Sequence, residues 1–278
     1  MTQQPLDSSL IANPRLYNLI LRIEPLRLDV MIYSVGEDDD SLIYRSIKLD
    51  SAPSQIAALE EAVYENPVLL GDFNRITVIL ASTDYAIVPE WVADDDSLET
   101  AVADKLIVND DADTELLTVN IPESGVAVLL KPEVRLLAFL RRTFNNPVIL
   151  HHVAPLIKYF HNTEKLGAAG KIFVNLRSDS LDIISFGGEG PKLVNTFNFR
   201  DKMDAVYYIL ACRELLKEDG EDHEILIAGN SEIRDEITPV LRKYVGYVMP
   251  VIFPSTMFKA AKDTMKAPFD LIVLPLCE

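Results

Sequence analysis

Two arginines in matched surroundings are the residues of this chain best suited to bind a charged ligand. Arg22 stands in Leu21-Arg22-Ile23-Glu24-Pro25 and Arg177 in Asn175-Leu176-Arg177-Ser178. Each precedes a Leu-Asp-(Val/Ile) segment, Leu28-Asp29-Val30 and Leu181-Asp182-Ile183, and the two segments are offset by 181 − 28 = 153 positions. A guanidinium carries a planar fork of donors that matches phosphate or carboxylate, so the pair suggests anion binding. The plainer expectation is that each is an exposed turn residue. A third candidate is Ile225-Leu226-Ile227-Ala228-Gly229-Asn230-Ser231, which reads as strand, glycine turn and helix start. Here the expected role of Asn230 or Ser231 is to cap the helix, because a short polar side chain accepts from free N–H groups at that position.

Other chemistry-bearing residues form no productive pattern. His151 and His152 are adjacent on an expected strand, where neighbouring side chains point to opposite faces, and His161 and His223 stand apart. No His-Glu-x-x-His or Cys-x-x-Cys motif accompanies them, and no metal is expected. Acidic clusters at Asp38–Leu42, Asp94–Leu98 and Asn109–Glu115 lack the alternating carboxylates and central glycine of a calcium loop. They read as solvated turns and helix N-terminal charge. Cys212 falls on an apolar helix face, Cys277 has no activating neighbour, and no Gly-x-Ser-x-Gly elbow is present. Trp91, the one tryptophan, is expected to close the core of the inserted stretch, the alternative being an anchor on a partner surface. Arg141-Arg142 suit the C-terminal end of a helix.

The 278 residues include 26 basic and 43 acidic side chains, a net charge of −17. That balance argues against nucleic acid and anionic membranes as partners, and favours an interacting protein that is basic or associated with a membrane assembly. No apolar run reaches the roughly 18 residues that span a bilayer, so direct insertion is not expected. The first residues lack a basic and apolar leader, and two cysteines make no disulfide framework. A cytoplasmic location is expected.

The elements that position these residues follow from periodicity. Strands are expected near Leu19–Glu24, Leu28–Ser34 and Ser41–Leu49, then a helix from Pro53-Ser54 and a strand at Arg75–Ala81. From about 83 to 145 the order changes: a short strand at Tyr85–Val88, a helix from Ser97, strands at Leu116–Ile121 and Gly125–Leu130, and a helix after Pro132. This reads as an insertion. A strand at Pro147–His151 and a helix from Pro155 follow, and Gly167-Ala168-Ala169-Gly170 marks a join. Strands at Lys171–Asn175, Ser180–Ser185 and Lys192–Phe199 then repeat the meander. A helix at Lys202–Lys217, strand Glu224–Ala228, helix Glu232–Val245, strand Tyr247–Ile252, helix Thr256–Lys266 and an apolar tail Leu271–Leu276 complete the expected order. The expected fold class is α/β, two domains (1–166 and 167–278) of βββαβαβα order, each built on a mixed sheet.

On these two meanders the chain resembles the actin-like ATPase superfamily, with ribonuclease H-like domains, and within it a family of uncharacterised bacterial proteins. The superfamily includes actin, sugar kinases, Hsp70 nucleotide-binding domains and bacterial pilus-assembly and division relatives. The resemblance implies a nucleotide cleft between the halves, with an Asp-x-Gly-(Thr/Ser) turn in each meander leading a carboxylate to Mg²⁺ and backbone N–H groups to phosphate. This sequence departs from that pattern at both turns. Arg22 stands in the aspartate place, Glu24 in the glycine place, and Pro25 lacks an N–H; in the second half Asn175 replaces the aspartate and Arg177 the glycine. A bare Glu24 carboxylate about 4 Å from phosphate would repel it by about 4 kcal/mol at an effective dielectric near 20. The purine turn keeps only Gly229 and Asn230, with Ala228 in place of a second glycine. The expectation is therefore a non-catalytic interaction or scaffold protein with no cofactor and no ATP hydrolysis. The alternative is an enzyme or sensor that takes a small anion or nucleotide in the cleft.

Overall fold

The computed structural model describes residues 6, 11–36, 42–49, 54–107, 113–164, 170–188, 190–217, 223–251 and 266–277. Most of the acidic turn after Gly36, residues 109–112 of the third acidic cluster, residues 167–169 of the join and the expected helix at 256–265 lie outside them.

The first half begins with the strands β1 (Tyr17–Glu24), β2 (Arg27–Ser34) and β3 (Leu42–Lys48), the helix α1 (Gln55–Tyr64) and the strand β4 (Arg75–Leu80). Next come β5 (Ala86–Pro89), the single turn α2 (Glu90–Ala93), α3 (Asp96–Leu106), β6 (Leu117–Ile121), β7 (Val126–Leu130) and α4 (Val134–Thr143). Strand β8 (Val148–His151) and helix α5 (Val153–Glu164) lead to the second half: β9 (Lys171–Leu176), β10 (Ser180–Gly187), β11 (Gly190–Asn198), α6 (Lys202–Leu216), β12 (Glu224–Gly229), α7 (Ser231–Leu241), β13 (Val248–Pro250) and α8 (Phe269–Val273).

Two five-stranded sheets result, ordered β3-β2-β1-β4-β8 and β11-β10-β9-β12-β13. In each, the first three strands are antiparallel neighbours and the last three run parallel. Strands β1, β2, β9 and β10 are buried on both faces, which is why their sequences are near-continuous apolar runs. Proline at the end of β13 removes a ladder donor and suits its edge position, shorter than the expected 247–252. The stretch between β4 and β8 forms a separate three-stranded sheet, β5-β7-β6, with its own core of Val92, Ala103, Ala127 and Leu129. Trp91 does not join that core. Its side chain is 67% exposed, because the one turn of α2 directs Val92 inward instead.

Side-chain caps fix the starts of α1, α3, α6 and α7. Asp95 accepts from Ser97 and Leu98 N–H at the head of α3, so the acidic run at 94–98 is partly a cap. Asp201 and Asp204 form a reciprocal capping box on α6. Helix α5 begins at Val153, two residues before Pro155, which sits in the first turn where no N–H is required. Arg141 and Arg142 occupy the last turn of α4; Arg141 forks onto Glu115 (2.7 and 2.9 Å) and Arg142 reaches Glu60.

Two helices lie between the sheets. Phe160 of α5 stacks on Phe173 of β9 (4.3 Å between centroids) and on Phe269 of α8 (5.7 Å). Residues 267–274, late in the second half, pack on the first sheet against Ile20, Met31 and Ile79. Among the described residues no helix is long and apolar enough to cross a membrane.

Candidate functional site

The inner face of each sheet carries one fully buried carboxylate, and these two acids organise the space between the halves. Asp29 is the cross-strand partner of Arg22, and Asp182 is the cross-strand partner of Asn175. Both acids come from the Leu-Asp-(Val/Ile) segments, and both offsets equal 153 (182 − 29 and 175 − 22).

In the first sheet, Arg22 shares a face with Ile20 under α8. It is fully buried rather than an exposed turn residue, since the hairpin turn is only Pro25-Leu26. Its Nε donates to Asp270 Oδ2 (2.6 Å) and its Nη1 to Glu24 Oε1 (2.5 Å), with Asp29 Oδ2 at 3.6 Å. Arg27 closes the ring, 3.0 Å from both Glu24 and Asp29, and the Tyr44 hydroxyl donates to Asp29. Burial alone would lower the Arg22 pKa, yet Asp270, Glu24 and Asp29 carry it above its ordinary value. Burial would raise the Glu24 carboxyl, but Arg22 and Arg27 outweigh it and hold the group below its usual value. Glu24 is thus not a bare charge, and the repulsion of about 4 kcal/mol expected for an isolated carboxylate is largely offset. Asp29 is pushed up by burial despite its arginines.

In the second sheet, Asp182 accepts from four side chains: His152 Nε2 (3.0 Å), Thr196 Oγ1 (2.8 Å) and Arg177 Nη2 (3.3 Å) on one oxygen, and Asn175 Nδ2 (2.9 Å) on the other. Burial would raise its pKa, but these donors hold the carboxyl well below the usual range. His152 itself is lowered by burial against the pull of Asp182, so the ring is neutral at pH 7 and acts as an N–H donor. His151 is lowered further, by burial and by His152; its Nε2 meets the Ser82 carbonyl at 3.1 Å. The two imidazoles do not point to opposite faces. Strand β8 ends at His151, the chain turns, and the rings lie 4.4 Å apart with Tyr85 beside them. Tyr85, from the inserted sheet's margin, also bonds Thr196 (3.0 Å).

A cavity of about 710 Å³ opens above these networks. Its walls are the Pro25-Leu26 turn, the Arg177–Ser180 turn, Ala81–Asp84 after β4, and Leu130–Glu133 after β7. Glu24 and Arg177 line it; Arg22, Asn175, Gly229 and Asn230 do not. Gly229 packs on the neighbouring strand with φ of +86°, and Asn230 Oδ1 accepts from Ile233 N (3.1 Å), so that turn caps α7. A Cβ at Gly229 would meet Leu176 O at 2.1 Å. Gly229→Ala should therefore cost about 1–3 kcal/mol, measured as a lowered urea midpoint. Among the described residues no group of three or more His, Cys, Asp or Glu is gathered to hold a metal.

Sequence reasoning picked out Arg22 and Arg177 but took Asp29 and Asp182 only as repeat markers, and it missed Asp270 and the bonds of His152 and Thr196 to Asp182. The available signal was an acid within an otherwise apolar strand, which must be paired once buried.

The profile of a family described as "Protein of unknown function (DUF3822)" matches residues 7–248. No curated protein matches the sequence. A crystal structure from Bacteroides thetaiotaomicron, described as a protein with an actin-like ATPase fold and unknown function, superposes with a TM-score of 0.82 at 18% identity. It covers 99% of this chain and 100% of that one. The PilM-PilN type IV pilus biogenesis complex gives a TM-score of 0.58 at 16% identity, covering 95% of this chain and 98% of the other. The chain is similar to both, and its fold is that of the actin-like ATPases.

Proposed function

The chain belongs to the DUF3822 family, and from that premise we propose that it is a non-catalytic interaction protein on a degenerate actin-like ATPase fold. Its two meanders are read as duplicated halves, 1–166 and 167–278, with an insertion at about 83–145 and a C-terminal segment that returns to the first sheet. The observation that carries this reading is the Arg22 ion-pair ring. In the place where the superfamily resemblance implies an aspartate facing hydrated Mg²⁺, a fully buried cation is held by Asp270 and Glu24. The adjoining turn supplies Pro25, which has no N–H to offer phosphate. In the second half Asn175 donates its amide to Asp182 and is likewise occupied. A partner protein fits the similarity to PilM, whose structure is a complex with PilN, and a net charge of −17 favours a basic or membrane-associated one. A cytoplasmic location belongs to the same reading.

The expected result is no ATP turnover and no Mg²⁺-dependent rise in melting temperature. Hydrolysis that is lost on changing Glu24 or Arg177 would overturn the proposal. A second reading, a small anion bound at the cavity, is favoured by one observation: Arg177 lines the cavity and its buried Nε has no partner. Arg22, already enclosed by carboxylates, drops out of that reading. A thermal-shift panel of small anions compared with Arg177→Ala separates the two; equal responses in both proteins remove the anion reading.

A further inference from the structure

We infer that the cavity between the Pro25-Leu26 and Arg177–Ser180 turns receives an extended peptide segment of a partner protein, one with basic side chains flanking an apolar one. The inference deepens the interaction-protein reading above and rests on it.

The walls of the cavity include Ile23, Ile56, Leu80, Leu130 and Leu136. Leu26, at the tip of the first turn, is 70% exposed along its edge. Its size lies within the range that binds ligands with an apolar body and a few polar anchors. The charges around it are not balanced. All three cations that line it are already engaged: Arg27 with Glu24 and Asp29, Arg177 with Asp182, and Lys131 with Asp104. The acids differ. Asp84, Glu133 and Asp179 are exposed at the lining, and among the described residues no cation pairs with any of them. Only the Ser180 hydroxyl reaches Asp179, at 3.2 Å.

An apolar floor with three uncommitted carboxylates selects a ligand that is apolar in the middle and positive outside. Those carboxylates stand on three separate elements: after β4, before α4, and in the β9–β10 turn. A compact amine meets one such wall. A segment with several basic residues meets all three. A polyanion would meet three unpaired carboxylates, while Arg27, Lys131 and Arg177 each already hold an acid.

The test uses the whole chain and a fluorescein-labelled peptide of alternating lysine and leucine. Binding is compared in three variants: Asp84→Asn/Glu133→Gln/Asp179→Asn, a control of equal charge change (Glu61→Gln/Asp94→Asn/Glu232→Gln), and the uncharged block Ser178→Trp. The expected result is about tenfold weaker binding in the rim triple and in Ser178→Trp, with the control triple close to the parent. Equal weakening in both triples, no effect of Ser178→Trp, or no binding by the parent would overturn the inference. Spermidine competing at the peptide's own concentration would assign the cavity to small polyamines and overturn it as well. ATP with Mg²⁺ is added to the same titration. If ATP is hydrolysed, the non-catalytic reading fails; if ATP is inert and the peptide does not bind, only the present inference fails.

Discussion

Arg22→Met should destabilise the protein by about 3–5 kcal/mol, the range for removing one partner of a buried ion pair. The loss is not of the arginine's contacts alone. Asp270 and Asp29 have no measurable exposure, and Glu24 is largely enclosed. Without Arg22, Glu24 and Asp29 keep Arg27, while Asp270 loses its ion-pair partner in the apolar face under α8. Removing the stranded charge as well should restore much of the stability, because an apolar pair of similar volume is often neutral or better in such a place. Arg22→Met/Asp270→Leu is therefore expected to unfold in urea at a higher midpoint than Arg22→Met alone. A single-variant loss below about 1 kcal/mol, the value of an exposed pair, would show that the ring is not the strongpoint described.

Acidification from about pH 7 to about pH 5 should lower the stability of the protein. His151 and His152 are held below their ordinary value chiefly by burial, so both are neutral when folded. The unfolded chain takes up a proton on each as the pH falls through about 6.5. The folded chain resists, and stability declines by up to about 1.4 kcal/mol per pH unit for each ring. Asp182 acts in a different window. Its carboxyl is depressed when folded, so its contribution is complete above about pH 4 and is lost only below that. Asp29, raised by burial, opposes this loss near the same acid limit. Urea midpoints across the range, with His151→Gln expected to reduce the slope, provide the check; flat midpoints would remove the account.

Much of the fold is legible in the chain because its central strands are buried on both faces. Leu19–Ile23 and Ile172–Leu176 could hardly be anything but inner strands, and the 153-residue offset of the two Leu-Asp segments marks the matching sheet orders. The cap at Asn230 was legible too, whereas Asp95, read as part of a solvated acidic turn, proves to be the N-cap of α3. The site was legible only by half. The departures at Arg22 and Arg177 were visible, but not that each is turned inward onto an acid. Asp270 is brought to Arg22 by packing, not by any local pattern. The histidine pair was misread because strand alternation stops where the strand does, at His151. Trp91 defied the expectation for its type because a one-turn helix offers few inward positions.

One feature of the Arg22 ring bears on how the protein is made. Arg22 and Asp270 are 248 positions apart. During synthesis the face of the first sheet around Ile20, Met31 and Ile79 stays bare, with its arginine short of one counter-ion, until translation has passed α8. Contacts of such long range are slow to form and leave apolar surface open to aggregation meanwhile. A nascent chain stalled before residue 266 is thus expected to need a chaperone that the finished protein does not.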